Sequence, residues 1–394
     1  IYDLSGHDST KWINKVLRSG GEPPVIYDST MVASTVNQLE TVLQNKGYLN
    51  AKVTPEIKLS KKKAKVIYNV QSNVPYTIGE YTISIGDSIF DTSLFNQYLP
   101  NIKETSHTTN KDTITSYLAK QVKKESLIKK GENFDLNILD LERDRITSTI
   151  RQFGYFAFNK EYIGFVADTT ASNRKVDLVL QIYPAMQRSQ DNEIIENPHK
   201  QYIVDDVKMY VDYNPLLSSL KDFEPTEIYK KNDYTICYGE REQYIRPSVL
   251  LNSCYIRPKQ LYSEKSTTFT YNTFSQLSIL TNVNIKYEEF LDNDTTKLRC
   301  VITCIPQKKQ GVSVELEGTN SASFLGVGTG IGYTHRNLLK GSEVFKIKAQ
   351  GAYEAITPSF SSFNDNYFEI GGDVSLTFPQ FMIPFLSKGT RRKI

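Results

Sequence analysis

The stretch Ser29-Thr-Met-Val-Ala-Ser-Thr-Val-Asn-Gln-Leu-Glu-Thr-Val-Leu-Gln-Asn-Lys-Gly-Tyr48, continued by Leu49-Asn-Ala-Lys-Val-Thr-Pro-Glu-Ile-Lys-Leu59 and Ala64-Lys-Val-Ile-Tyr-Asn-Val70, decides the fold. Ser29 and Thr30 can cap a helix. Val32, Val36, Leu39, Val42 and Leu43 then recur at helical spacing. Gly47 stops the helix, where a left-handed residue is needed. The run from Tyr48 to Leu59 reads as a strand, and Ala64–Val70 reads as its hairpin partner across a Ser/Lys turn. The Lys61-Lys62-Lys63 run is a solvated turn between them.

The same order returns further on. Leu141, Ile146, Ile150 and Phe153 mark a helix, Gly154 stops it, and Tyr155–Ile163 and Val176–Ile182 follow as strands. Tyr76–Ile85 reads as an opening strand, and a helical stretch is expected near Ser93–Leu99. A weaker third copy has its first strand at Gln201–Val211 and its helix over Phe269–Leu280, with Thr281-Asn282 in place of Gly-Tyr. Its hairpin is Val283–Phe290 with Lys297–Ile305. The stretch from Tyr213 to Ser263 reads as an insertion forming its own hairpin. The first copy has no clear opening strand; Ile1–Leu17 supplies one poorly. Each unit is thus strand, helix, hairpin, and serial copies make an array. The expected units are 1–74, 75–186, 198–308 with the insertion at about 213–263, and a different region at 310–394.

This helix–Gly-Tyr–strand–strand signature resembles the POTRA (polypeptide-transport-associated) domain. The fold class that follows is α+β POTRA repeats leading into antiparallel transmembrane β-barrel strands. From Gly311 the pattern changes to long alternating strands. In Gly311-Val-Ser-Val-Glu-Leu-Glu-Gly318, Val312, Val314 and Leu316 share one face, and Ser313, Glu315 and Glu317 the other. Gly326–Thr334 sets four glycines opposite Val327, Thr329, Ile331 and Tyr333. Phe345–Tyr353 and Asp373–Phe378 alternate likewise. Such strands occur in membrane barrels and equally in one-sided soluble sheets.

Thr334-His-Arg-Asn-Leu-Leu-Lys-Gly-Ser-Glu343 is similar to the Asn-x-x-x-Gly turn between early barrel strands of the BamA/TamA family, which nominates Asn337 and Gly341. Glu315-Leu-Glu-Gly-Thr-Asn320 before a glycine-rich strand is similar to the start of that barrel. Gly20-Gly-Glu-Pro-Pro-Val-Ile-Tyr-Asp28 resembles a segment of TamA-like lipoproteins of Bacteroidetes type. Four strands do not close a barrel, whose smallest form has eight, so these read as its first strands.

Bulk properties agree with that class. The 394 residues carry Lys+Arg 47 against Asp+Glu 44, a balance too even for a nucleic-acid footprint. Tyr 25 and Phe 19 favour strands and membrane interfaces. No apolar run is long enough for a spanning helix. Cys237, Cys254, Cys300 and Cys304 form no C-x-x-C pair. Cys300 and Cys304 lie on one strand face about 13 Å apart, too far to bridge. Cys237 and Cys254 either pair across a hairpin or stay free and buried.

Catalytic chemistry is not in view. His7, His107, His199 and His335 have no partner at metal-ligand spacing, and no nucleophile elbow or P-loop occurs. The glycines of Gly326–Gly332 fall on every second residue, as in a strand and not a dinucleotide loop. Asp205-Asp206 and Glu288-Glu289 are strand neighbours facing opposite ways. The reading is of a non-enzyme without cofactor or metal.

The resemblance implies an outer-membrane insertion or translocation factor with periplasmic POTRA units. Its clients would be outer-membrane protein precursors or lipids, its surroundings outer-membrane lipids, and a TamB-like protein a further partner. Client pairing by β-augmentation would use the backbone of Gly311, Val312, Ser313, Val314, Glu315, Leu316, Glu317 and Gly318, and POTRA edges at Val53, Ile57, Leu59, Phe158 and Ile163. A two-partner-type secretion pore and a soluble periplasmic adaptor are the rival readings. The adaptor requires the strands after Gly311 to form a covered globular sheet.

Overall fold

The computed structural model describes the chain apart from residues 1–7, 9, 23–26, 61–62, 87, 95–110, 171–173, 189–191, 214–219, 221–222, 240–242, 293–294, 322–323, 357–366 and 380–394. Most of the helix expected at Ser93–Leu99 and two residues of the lysine turn fall outside the described residues. By packing, the chain divides into two units: Ile1–Gly86 with Ala119–Ile146 and Lys160–Tyr183, and Asp87–Leu118 with Thr147–Asn159 and Pro184–Ile394.

The first unit opens with helices α1 (Trp12–Ser19) and α2 (Ser29–Asn45). The N-cap of α2 is Asp28, whose carboxylate accepts the Thr30 amide at 2.8 Å, so the cap stands one residue before the expected serine. Residues expected to give a weak strand form α1 instead. Strands β1 (Lys52–Ser60) and β2 (Lys63–Gln71) form the expected hairpin, in a register that sets Val53 opposite Val70. Helix α2 packs on β1, and Val32 and Val53 are buried; Val42 is exposed, against the periodic reading. Gly47 takes φ +89°, and a side chain there would press on Phe134 O at 2.6 Å, so both conformation and space demand glycine.

The second repeat supplies β3 (Thr77–Ser84), α3 (Lys111–Lys124), α4 (Leu136–Arg151), β4 (Ile163–Asp168) and β5 (Lys175–Ile182). Its sheet runs β3-β5-β4, with β5 parallel to β3 and antiparallel to β4. The alternation of Val176, Leu178, Leu180 and Ile182 buries one face of β5. The core joins Ile78, Ile128, Phe134, Leu139, Val176 and Leu178. On α4, Glu142 has no exposed side-chain surface. Its carboxylate accepts from Ser126 Oγ at 2.7 Å, Leu127 N at 3.0 Å and Arg145 Nε at 2.7 Å.

The second unit contains the short hairpin β6 (Ala185–Arg188) and β7 (Ile194–Asn197), then β8 (Ile203–Tyr210), β9 (Glu227–Lys231), β10 (Tyr234–Tyr238), α5 (Pro247–Ser253), β11 (Gln260–Leu261), α6 (Glu264–Ser275), β12 (Leu280–Asp292) and β13 (Thr295–Pro306). The sheet order is β12-β13-β8-β10-β9, with β11 beside the start of β8. The stretch read as a separate insertion does form a hairpin, β9–β10. That hairpin is part of the main sheet, because β10 runs parallel to β8.

All four cysteines are buried and free, which decides against the Cys237–Cys254 bridge. Where the second repeat has Gly154-Tyr155 three residues past its helix, the third has Ser278-Ile279; the expected stop at Thr281-Asn282 lies inside β12. Tyr155 and Ile279 are both fully buried.

Each repeat closes on a similar backbone bond just past its helix. Tyr76 N donates to Gly47 O at 2.8 Å, Tyr202 N to Gly154 O at 2.9 Å, and Gln307 N to Ile279 O at 2.8 Å. The chain leaving each hairpin is thereby tied to the helix stop before it. After the third such joint come four long antiparallel strands in simple order, β14 (Gln310–Ser321), β15 (Phe324–Arg336), β16 (Val344–Ile356) and β17 (Tyr367–Thr377). Their register holds without slips along each pair.

Candidate functional site

The four-stranded sheet is amphipathic, and among the described residues neither face is covered. Directly opposed residues share a face. Val312, Val314 and Leu316 on β14 therefore line up with Tyr333, Ile331 and Thr329 on β15 and with Ile347, Ala349 and Gly351 on β16. Ile370, Val374 and Phe368 extend this face onto β17. Val314 is 69% exposed and Leu316 82%. A contiguous exposed apolar face of this kind marks a surface for lipid or for another protein.

The opposite face is polar. Ser313, Glu315 and Glu317 face the glycine track of β15, and Lys346, Lys348 and Gln350 follow on β16. The missing side chains at Gly330 and Gly332 let Lys348 Nζ reach over β15 to Glu315 Oε2 at 2.7 Å. Among the described residues strand β14 pairs with β15 alone, so its other side is there an edge carrying every second pair of backbone N–H and C=O groups.

The turn between β15 and β16 is the second element, and it is built into the third repeat. Asn337, Lys340 and Ser342 adopt positive φ of 76°, 60° and 65°. The side-chain amide of Asn337 donates to Tyr244 O at 2.6 Å, while its carbonyl accepts Ser342 N at 2.9 Å. Arg246 N donates to Lys340 O at 2.8 Å. Ser278 Oγ donates to Ser342 O at 3.0 Å, and Ile279 N to Ser342 Oγ at 3.3 Å.

Glu343, only 3% exposed, closes the turn. Its Oε2 accepts Leu339 N at 3.1 Å and Gly341 N at 3.0 Å, and its Oε1 meets Arg246 Nη2 at 3.1 Å. Gly341 is not in the left-handed region; it is glycine because a Cβ there would collide with Glu343 Oε1 and crowd Arg246 Nη2. Buried polar groups must be satisfied; Asn337 Nδ2, Lys340 O and Ser342 O find their partners on the third repeat, whereas Leu339 N, Gly341 N and Ser342 N find theirs within the turn. The sequence nominated Asn337 and Gly341. It did not show Glu343, Ser342, Ser278, Tyr244 or Arg246, whose roles depend on contacts 63 to 97 residues apart.

The other nominated edges fare unevenly. Val53, Ile57 and Leu59 lie on β1, which among the described residues has only β2 beside it. Val53 N is already held by Glu40 Oε1 at 2.9 Å, so one edge donor is occupied. Ile163 starts edge strand β4, with its side chain buried. Phe158 is not on an edge strand, because β4 starts at Ile163 and the preceding residues are turns. Its ring is 1% exposed and packs against Phe90 at 6.0 Å and His199 at 4.8 Å. Among the described residues no cluster of three or more His, Cys, Asp or Glu could hold a metal ion.

Residues 11–73 match the POTRA family model, described as a surface antigen variable number repeat. That stretch, which holds α1 and the α2–β1–β2 unit, is thus similar to a POTRA repeat. No curated protein matches the chain.

Among solved structures the chain is similar to BamA from Haemophilus ducreyi lacking POTRA domains 1–3, at 11% identity and TM-score 0.37, covering 73% of this chain and 40% of that one. It is similar to POTRA3-5 of Haemophilus influenzae BamA at 10% identity and TM-score 0.32, covering 72% and 83%. A third likeness is to CdiB from Acinetobacter baumannii, at 10% identity and TM-score 0.27, covering 90% and 61%. The chain thus spans 40% of the length of the first of these.

Proposed function

We propose that the chain acts at a bacterial outer membrane as an insertion or translocation factor. POTRA repeats in the periplasm receive an extended client, and the free edge of β14 pairs with it. The observation that carries this reading is the β14–β17 sheet, apolar and bare on one face, polar on the other, and unpaired along β14. An apolar sheet face of this kind is stable against lipid tails. An open edge in lipid is costly, because water is absent and backbone groups must find partners within the membrane. A client strand laid against β14 satisfies those groups, so pairing is favourable without nucleotide hydrolysis. Clients need share no sequence, since the backbone makes the contacts.

The edge role is tested with two adjacent proline variants, Val314→Pro and Glu315→Pro. Neighbouring residues of an antiparallel strand turn their N–H groups to opposite sides. One variant therefore loses a donor to β15, and the other loses a donor on the open edge. The expected result is that one loosens the β14–β15 pair, while the other keeps the sheet and still blocks assembly of an outer-membrane protein in cells depending on it. Assembly at the unmodified rate by both variants contradicts the proposal. A soluble adaptor is disfavoured by the bare apolar face, which would make it insoluble without detergent.

A further inference from the structure

Helix α1 is turned inside out for a protein surrounded by water. At about 100° per residue, Trp12, Val16, Ile13 and Leu17 fill one continuous arc, and Asn14, Arg18, Lys15 and Ser19 fill the other. A surface helix buries its apolar arc. In α1 the buried residue is Asn14, whose Nδ2 donates to Asp8 O at 2.7 Å, while Trp12 is 73% exposed and Ile13 and Val16 are more than half exposed. Lys11 and Lys15 are exposed beside this arc. The helix contains no acidic residue. Asp8 and Glu22 lie outside it, and the Asp8 carboxylate is engaged by the Thr10 amide at 3.0 Å and hydroxyl at 2.6 Å.

We propose that α1 is a peripheral docking surface for an anionic phospholipid bilayer, a role separate from the β14 edge and independent of the function proposed above. An indole, two aliphatic side chains and flanking lysines are the components of an interfacial helix. The apolar arc sits at the headgroup–acyl boundary while the ammonium groups meet lipid phosphates. Charge favours this occupant over a second copy of the chain. Two α1 helices packed through the same arc bring like-charged lysines together, whereas an anionic surface neutralises them.

Trp12 is the only tryptophan of the 394 residues, so intrinsic emission reports this site directly. The full chain is held in phosphatidylcholine nanodiscs and titrated with vesicles of phosphatidylcholine, alone or mixed with phosphatidylglycerol. With phosphatidylglycerol the emission moves to the blue, and brominated acyl chains quench it. The Lys11→Gln/Lys15→Gln variant retains Trp12 and binds about 25-fold more weakly, each lysine contributing roughly fivefold at such a surface. An equal response to both vesicle types, or none, overturns the proposal. So does a blue shift that depends on protein concentration without vesicles, which would assign the arc to self-association. An apolar arc already shielded from aqueous iodide before vesicles are added overturns it as well.

Discussion

Replacing Glu343 by alanine should open the β15–β16 turn, whose own backbone amides its carboxylate holds. The buried carboxylate holds two backbone amides, that of the buried Gly341 and that of Leu339, a residue 59% exposed. A buried amide left without an acceptor costs about 1–3 kcal/mol, which falls on Gly341 N, since Leu339 N can turn to water; the carboxylate is therefore worth about 1–3 kcal/mol to the closed turn. The arginine adds little, because Arg246 is 51% exposed and regains water when the pair is broken; an exposed ion pair contributes about 0–1 kcal/mol. Amide hydrogen exchange over residues 337–343 reads this opening. At tenfold per 1.4 kcal/mol, Glu343→Ala should speed exchange there by at least about fivefold.

Two companion variants separate the causes. Glu343→Gln keeps an oxygen for the amides and loses only the charge, so exchange should rise by no more than about fivefold. Arg246→Ala should match it. The reasoning is refuted if Glu343→Ala exchanges within about twofold of the unmodified chain, or if Glu343→Gln is as damaging as alanine.

Three further outcomes follow from the same geometry. Burial alone would raise the Glu142 carboxyl, but hydrogen bonds from Arg145, Leu127 N and Ser126 outweigh it and hold the group below its ordinary value of 4.5. A depressed folded value stabilises the protein above the ordinary value, and that stabilisation is lost as pH falls through the folded value. Glu142→Gln should therefore lower the melting point at about pH 7 and shrink its drop towards about pH 3; an unchanged drop counts against the account.

The four cysteines are buried, and burial pushes the Cys304 thiol up to about 12, so maleimide should label none of them before unfolding; labelling of the native chain at the free-thiol rate would contradict this. In a Trp12→Phe background, tryptophan placed at Val314 or Ile331 should be quenched by brominated lipid, and tryptophan at Glu315 or Glu317 should not. Equal quenching on both faces removes the membrane from the account.

The repeat architecture was legible because it rests on local signals. A glycine stop at Gly47 or Gly154 and the alternation of Val176–Ile182 need no distant partner. The last four strands were legible for the same reason, since Val312, Val314 and Leu316 separate from Ser313, Glu315 and Glu317 by period alone.

What escaped depended on the third dimension. Phe158 sits in an apolar run that reads as a strand, but turns carry it into a core with Phe90 and His199. Residues 12–19 carry the helical spacing of Trp12 and Val16, but with the arc exposed and only Asn14 buried nothing in the pattern marks a core-facing helix. The β9–β10 hairpin was seen, but its parallel pairing with β8 follows only from tertiary packing. For the turn, Asn337 and Gly341 stand out in sequence. The socket does not, because Tyr244, Arg246 and Ser278 come from segments with no mark of their own.

The edge of β14 is tested most directly by cross-linking register. Single cysteines replace residues 312 to 317 in turn, in a chain whose own four cysteines are buried, and a client outer-membrane protein carries single cysteines along one strand. Oxidation during assembly should give a diagonal series of disulfides, advancing one client residue per β14 residue, as a paired strand requires. Cross-links scattered without register, or confined to the POTRA repeats with none on β14, would contradict the account.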